Sequence, residues 1–194
     1  MWCIVGAVRN RSLPTSELRE RLRRTFEWVS DRKDEWRSAN ETGWWRDPEV
    51  LASLGPALAD QFSDTHPTVV LGLQSRGCLL GSLVAQHLGL GLIEVRKDPV
   101  RSADSDRLWQ RTTPPDYEDR HLTLGFRRNL INSGDRALLV DDWIATGAQA
   151  LACQGLVADA GATWLGASVI VDGLERPELR RPLNLRSLLH VRDL

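Results

Sequence analysis

The chain has few cysteines, almost no net charge and no long hydrophobic run. Its 194 residues include three cysteines, Cys3, Cys78 and Cys153, which are odd in number and lack the spacing of a metal site. This usage favours a reducing cytoplasm over a disulfide-stabilised scaffold. A formal net charge of −1 provides no global basic field to attract nucleic acid. The hydrophobic fraction of 42% is enough for a core but too low for a membrane protein.

The length of the chain suits one α/β domain with modest additions. Residues 1–8 are apolar, but they are too few to span a bilayer and no basic segment precedes them. We expect an edge strand or a packed arm there.

An amphipathic helix is predicted near the N-terminus. Its start signal is Pro14-Thr15-Ser16 with Glu17, and it runs to about Arg32. Its apolar face at helical spacing comprises Leu18, Leu22, Phe26 and Val29. Residues 33–46 are polar with several tryptophans, so we expect a loop there. A second helix is predicted to start at Pro48.

The most informative stretch covers residues 137–149, Ala-Leu-Leu-Val-Asp-Asp-Trp-Ile-Ala-Thr-Gly-Ala-Gln. Its apolar start follows a turn signal at Gly134 and predicts a buried strand. A helical pattern begins at Ala148, and a second apolar run covers residues 165–171. Strand, loop, helix and strand form a βαβ unit, whose loop lies where open α/β sheets bind ligands.

The residue types in that loop suit a sugar phosphate. Thr146 and Gly147 stand where the helix begins, and free backbone N–H groups with the positive end of the helix dipole can hold a phosphate there. Asp141 and Asp142 can accept hydrogen bonds from vicinal ribose hydroxyls, directly or through a hydrated Mg²⁺. The Asp-Asp pair alone favours the simpler interpretation, a strand that ends in an acidic turn before an ordinary helix cap.

A second βαβ unit is predicted upstream. Residues 68–73 form a buried strand, residues 78–87 a helix, and residues 92–95 the next strand. Arg76 and Gly77 in the intervening loop again suit an anion. A Ser-Arg-Gly loop alone is weak evidence for such a site.

The stretch over residues 98–119 shows no apolar periodicity and contains Pro114-Pro115. A loop of this length predicts a lid or a disordered segment. Further strands are predicted at residues 121–124 and 188–191.

Residues 140–147 resemble the phosphoribosyl-pyrophosphate (PRPP) motif of type I phosphoribosyltransferases, in which an apolar strand and two acids precede Ala-Thr-Gly-Gly-Thr. Ala148 and Gln149 depart from that ending, and Trp143 is bulkier than the usual residue. Ala148 keeps its backbone N–H and Gln149 can donate from its amide, so both can still serve a phosphate.

Residues 72–81 and 95–97 are similar to the adenine phosphoribosyltransferases. In that group, the first loop and an Arg-Lys pair after the next strand hold pyrophosphate. The matching positions here are Arg76, Arg96 and Lys97. Gln74 stands where an acid is commoner.

The resemblance implies a type I phosphoribosyltransferase fold. This is an α/β domain whose mostly parallel sheet of about five strands is flanked by helices. We expect the domain over residues 47–194, preceded by an N-terminal helical hood segment over residues 1–46.

The resemblance also implies an activity: transfer of ribose 5-phosphate from PRPP to a nitrogenous base, adenine being favoured, with release of pyrophosphate. It implies purine salvage in the cytoplasm by a homodimer. Mg²⁺ is the implied cofactor, bound through PRPP and by Asp141 and Asp142, which would also hold the ribose hydroxyls. The residues implied for the 5-phosphate are Ala145, Thr146, Gly147, Ala148 and Gln149. Those implied for pyrophosphate are Ser75, Arg76, Gly77, Arg96 and Lys97.

Two candidate catalytic residues follow from the resemblance, Asp142 and Glu118. Counted back from Asp141 without gaps, Glu118 falls where the adenine group has its catalytic glutamate. The alternative for Glu118 is a solvated loop acid.

Other functions stay open at this point. The chain could be a PRPP-binding regulatory protein without transferase activity, although its near-neutral charge argues against a nucleic-acid partner. It could also be a nonenzymatic remnant, because of Ala148 and Gln149. The base could be a different purine, orotate or an unusual base.

Overall fold

The computed structural model describes residues 12–30, 37–114 and 121–194. The chain forms two compact units, one ending at Leu54 and the other covering Gly55–Leu194. The arm predicted at residues 1–8 lies outside the described residues. None of the described helices is long and apolar enough to cross a bilayer.

The first unit contains short helices and a small hairpin. Its elements are α1 (Thr15–Thr25), β1 (Glu27–Val29), β2 (Ser38–Asn40), α2 (Thr42–Arg46) and the start of α3 (Pro48–Asp60). Leu18 and Leu22 are buried on α1. Trp44 is fully buried, and its indole N–H donates to the Leu22 carbonyl at 2.9 Å. Trp44 therefore helps to pack the N-terminal helix.

Two predictions for this unit are wrong. The first helix does not reach Arg32, because the backbone becomes extended at Phe26 and the following residues pair antiparallel with β2. The loop predicted over residues 33–46 forms β2 and α2 in its described part. Strand pairing here overrides the helical spacing of the apolar residues.

The second unit is built on a seven-stranded sheet. Its strands are β3 (Val69–Leu73), β4 (Gly91–Lys97), β5 (Leu108–Thr112), β6 (Thr123–Arg127), β7 (Arg136–Ile144), β8 (Thr163–Asp172) and β9 (Leu185–His190). The helices after α3 are α4 (Arg76–Leu88), α5 (Ala148–Asp159) and α6 (Arg180–Leu183). Both predicted βαβ units form, as β3–α4–β4 and β7–α5–β8.

The strand order is β5-β6-β4-β3-β7-β8-β9. The five strands from β4 to β9 in that order run parallel. β6 and β5 extend the sheet beside β4 as antiparallel strands. The mostly parallel sheet is therefore confirmed, but it has seven strands rather than about five.

The additional strand β5 falls inside the segment predicted to be a lid or disordered. Disorder is wrong for residues 108–112, and the lid stays a prediction. Trp109 packs against the core, and the guanidinium carbon of Arg128 lies 4.1 Å from its ring centroid. Arg111 donates two hydrogen bonds of 2.7 Å to the Asp159 carboxylate. These contacts fix β5 although its residues are half-buried or exposed.

Candidate functional site

Two loops meet at one end of the parallel sheet. β3 and β7 are neighbours, with Gly72 opposite Val140, and each ends in a loop that leads into a helix. The first loop, at Gln74 and Ser75, enters α4, and the second, at residues 145–147, enters α5. Because the carboxyl ends of parallel neighbours lie side by side, these loops form one ligand-binding edge.

A cavity of about 400 Å³ lies at these two loops. The predicted site residues that line it are Ser75, Arg76, Lys97, Asp141, Asp142, Ala145, Thr146, Gly147, Ala148 and Gln149. Gly77 and Arg96 do not line it. Glu118 lies outside the described residues. The structure thus brings most of the predicted residues of both loops into one cavity.

The two carboxylates have different surroundings. Asp142 is 9% exposed, and its Oδ2 accepts a hydrogen bond of 2.9 Å from Arg76 Nη1. Asp141 Oδ1 accepts from the backbone N–H of Asp142 at 3.0 Å. Burial, and then the charge of Asp142, raise the pKa of Asp141 well above its ordinary value, while Lys97 opposes the shift. Ionisation of Asp141 is therefore favoured when further positive charge approaches.

Gly77 lies directly against Asp141. A Cβ built on Gly77 would lie 2.8 Å from Asp141 Oδ1 and 2.8 Å from the carbonyl oxygen of Val140. The absence of a side chain lets the first turn of α4 approach the end of β7. The predicted contact of Gly77 with pyrophosphate stays a prediction.

The second loop forms a cradle at the start of α5. Gly147 adopts a φ of +78°, in the left-handed region that favours glycine. Thr146 Oγ1 accepts from the backbone N–H of Ala148 at 3.3 Å. Other N–H groups in the first turn of a helix have no carbonyl partner within it. Together with the helix dipole, they favour an anion in the adjoining cavity.

The cations of the site lie beside the first loop. The side chain of Arg76 is 52% exposed, so it remains accessible to an anion while it contacts Asp142. Lys97, the last residue of β4, lines the cavity. The guanidinium of Arg96 is more exposed, with its Nε 3.8 Å from Glu94 Oε2.

Among the cavity residues to which the sequence assigned no role, Gln74 and Trp143 carry polar groups on their side chains. Gln74 lines the cavity, and its Oε1 accepts from the backbone N–H of Lys97 at 2.9 Å. Trp143 also lines the cavity, and a Cβ built on Gly173 would lie 2.7 Å from its Nε1. The sequence marked both Gln74 and Trp143 as departures from the family pattern, which was the available signal.

The acidic pair suits a magnesium ion that arrives with a phosphate ligand. Among the described residues there is no cluster of three or more His, Cys, Asp or Glu side chains that could hold a metal by itself. Mg²⁺ usually keeps several waters and binds through one or two carboxylates plus substrate phosphates. Asp141 and Asp142 fit that requirement.

Comparison with known proteins agrees with this geometry. A model of the phosphoribosyl transferase domain matches residues 47–188. An adenine phosphoribosyltransferase of Frankia casuarinae is 35% identical over 151 residues, which are 74% of this chain and 75% of that protein. The solved adenine phosphoribosyltransferase of Rhodothermus marinus superposes with a TM-score of 0.75 at 28% identity, over 91% of this chain and 99% of that one. The Saccharomyces cerevisiae enzyme, solved with an imino-altritol bisphosphate and adenine, gives 0.73 at 25% identity, over 90% of this chain and 99% of that one. The resemblance found in the sequence is confirmed, and the chain belongs to the phosphoribosyltransferase family.

Proposed function

We propose that this phosphoribosyltransferase transfers ribose 5-phosphate from PRPP to adenine and releases pyrophosphate. The observation that carries the proposal is one cavity that combines an acidic pair, a phosphate cradle and two cations. The transferase activity follows from the family. The choice of adenine is supported by the relatives named adenine phosphoribosyltransferases and by the adenine in the Saccharomyces cerevisiae structure.

The positions of the two loops support a placement of PRPP in the cavity. The start of α5 would hold the 5-phosphate through the backbone of residues 145–149. Asp141 and Asp142, at the end of β7, would accept hydrogen bonds from the ribose hydroxyls. Arg76 and Lys97, on the side of β3 and β4, would hold the diphosphate. The ribose would therefore lie over the acidic pair between its two phosphate groups.

In the proposed reaction, the bond from carbon 1 of the ribose to the diphosphate oxygen breaks, and its electron pair leaves with pyrophosphate. Carbon 1 becomes oxocarbenium-like, as in glycoside cleavage. The carboxylates of Asp141 and Asp142 stabilise this positive charge while Arg76 and Lys97 stabilise the leaving group. Mg²⁺ bound with PRPP supplies further positive charge against the diphosphate. A ring nitrogen of adenine then forms the new bond and loses its proton.

Glu118 is proposed to accept that proton. The hairpin of β5 and β6 supports this role through its ends, since Thr113 N–H donates to the Leu122 carbonyl at 2.8 Å. Asp98, which follows Lys97, donates from its N–H to the Thr123 carbonyl at 2.7 Å. Thr113 and Leu122, two described residues on either side of Glu118, therefore lie near the carboxyl end of β4. The cavity lies at the same edge of the sheet.

We further propose a cytoplasmic homodimer. The sparse cysteines support the compartment. Leu79, with 59% of its surface exposed on α4, and the exposed Arg96 support an interface with a second subunit. Sedimentation at micromolar concentration measures the assembly state. An active monomer would contradict the dimer.

The activity test measures pyrophosphate release with PRPP, Mg²⁺ and adenine, hypoxanthine, guanine or orotate. We expect the highest kcat/KM with adenine. Asp142→Asn should abolish most of this activity, whereas Asp60→Asn, an exposed carboxyl at the end of α3, should retain it. If the protein binds PRPP but releases pyrophosphate with none of these bases, it is a regulatory protein instead.

A further inference from the structure

We infer that Gln74 binds the diphosphate group directly, with one end of its side-chain amide fixed by Lys97 and the other donating a hydrogen bond to the ligand. This inference rests on the proposed function and adds a residue to its diphosphate site.

The orientation of the Gln74 amide follows from its contact with Lys97. The backbone N–H of Lys97 is a donor only, and it lies 2.9 Å from Gln74 Oε1. Only the oxygen of an amide can accept this hydrogen bond, so the other terminal atom is the NH₂ group. The hydrogen-bond network therefore determines which way the amide faces.

This contact replaces a hydrogen bond of the sheet. β3 pairs with β4 as far as Leu73 and Val95, and the Gln74 N–H continues the ladder to the Val95 carbonyl at 3.0 Å. In a parallel ladder the next bond would join the Lys97 N–H to the Gln74 carbonyl. The side-chain oxygen of Gln74 takes that place while the backbone turns into the loop at Ser75. Lys97 thus stays attached to β3 at the edge of the cavity.

The NH₂ group of Gln74 is available to a ligand. Within the described part of the chain, Gln74 Nε2 donates to no other atom. Gln74 lines the cavity together with Ser75, Arg76 and Lys97. Phosphate oxygens at neutral pH mainly accept hydrogen bonds, so an amide donor next to two cations complements a diphosphate. A carboxylate at position 74 would instead place negative charge against the ligand.

The test is calorimetric titration of pyrophosphate with Mg²⁺ into the wild type, Gln74→Glu and Gln74→Met. Gln74→Glu keeps an oxygen for the Lys97 N–H but replaces the NH₂ donor by a negatively charged oxygen. Gln74→Met keeps the length and removes both functions. We expect Kd for pyrophosphate to rise about ten-fold or more in both variants, because each loses a hydrogen bond to a charged group.

Ribose 5-phosphate provides the second readout. Its phosphate is proposed to bind at α5, so its affinity should be unchanged in both variants. Gln86→Glu makes the same chemical change on the exposed surface of α4 and should bind both ligands as the wild type does.

The outcomes separate the two proposals. If Gln74→Glu binds pyrophosphate like the wild type, Gln74 serves only to hold Lys97, and its role as a donor is refuted. Wild-type affinity in Gln74→Met would refute that role as well. If the wild type binds neither pyrophosphate nor ribose 5-phosphate, the proposed function itself fails.

Discussion

Replacement of Gly77 by alanine tests how closely α4 must approach the acidic pair. The added Cβ would lie 2.8 Å from both Asp141 Oδ1 and the main-chain oxygen of Val140. The main-chain oxygen belongs to a buried strand, and Asp141 Oδ1 accepts from the N–H of Asp142. The start of α4 or the end of β7 must therefore shift. Overpacking of this kind lowers the free energy of unfolding by about 1–3 kcal/mol.

We expect Gly77→Ala to lose both stability and ligand affinity. In a chain of this size, a destabilisation of ~1 kcal/mol lowers Tm by about 2–4 °C, which scanning calorimetry resolves. The affinity for Mg²⁺ and PRPP, measured by titration calorimetry, should fall because Asp141, the proposed ligand of the ribose hydroxyls, is displaced.

Gly91→Ala is the matched control for this experiment. A Cβ at Gly91 would have no atom within 4 Å, so we expect neither Tm nor PRPP affinity to fall. If Gly77→Ala melts and binds as Gly91→Ala does, the close packing of α4 does not position Asp141, and the reasoning is wrong.

Three further measurements test the acidic pair and the hairpin. Asp142→Asn removes the charge that faces Arg76 and that we propose to face the ribose. It should weaken PRPP binding by about 1.5–3 kcal/mol in calorimetry; equal affinities would exclude the ribose role. Because the folded state raises the pKa of Asp141, its contribution to the free energy of unfolding should decline as pH rises above 3.8 through the raised pKa. Denaturant titrations at several pH values should show that the free energy of unfolding of Asp141→Asn lacks this decline. If the variant and the wild type depend on pH in the same way, the prediction is wrong. Trypsin should cut after Arg101 faster than after Arg111, which lies in β5; equal rates by mass spectrometry would contradict a stable hairpin.

The position of the site was predictable because of how buried parallel strands are composed. Such strands are nearly continuous apolar runs, since helices cover both faces of the sheet. The runs at residues 68–73, 137–140 and 165–171 therefore identified β3, β7 and β8. The residues that follow the first two runs had to lie at the same edge of the sheet, and they line one cavity.

Strand β5 was missed for the opposite reason, whereas the strand predicted at residues 121–124 overlaps β6. The sequence of β5, Leu-Trp-Gln-Arg-Thr, shows no alternation of apolar and polar side chains, because none of its residues is fully buried in the folded chain. It is fixed by contacts between residues distant in sequence, such as Arg111 with Asp159. Phe26 shows the same limit, because its apolar side chain fits a helical pattern although it lies beyond the end of α1.

The departures from the family pattern at Gln74, Ala148 and Gln149 replace side chains, whereas backbone groups make several of the contacts at these positions. In the second loop, Ala148 and Gln149 begin α5, and a different side chain at either position leaves its main-chain N–H in place. At position 74, either a carboxylate or an amide could accept the hydrogen bond from the Lys97 N–H, so the attachment of β4 to β3 is also preserved. The difference between those two groups lies in the atom that is left for the ligand. Glutamine at this position therefore alters the charge of the surface that we propose to face the diphosphate, while it keeps an acceptor for the Lys97 N–H.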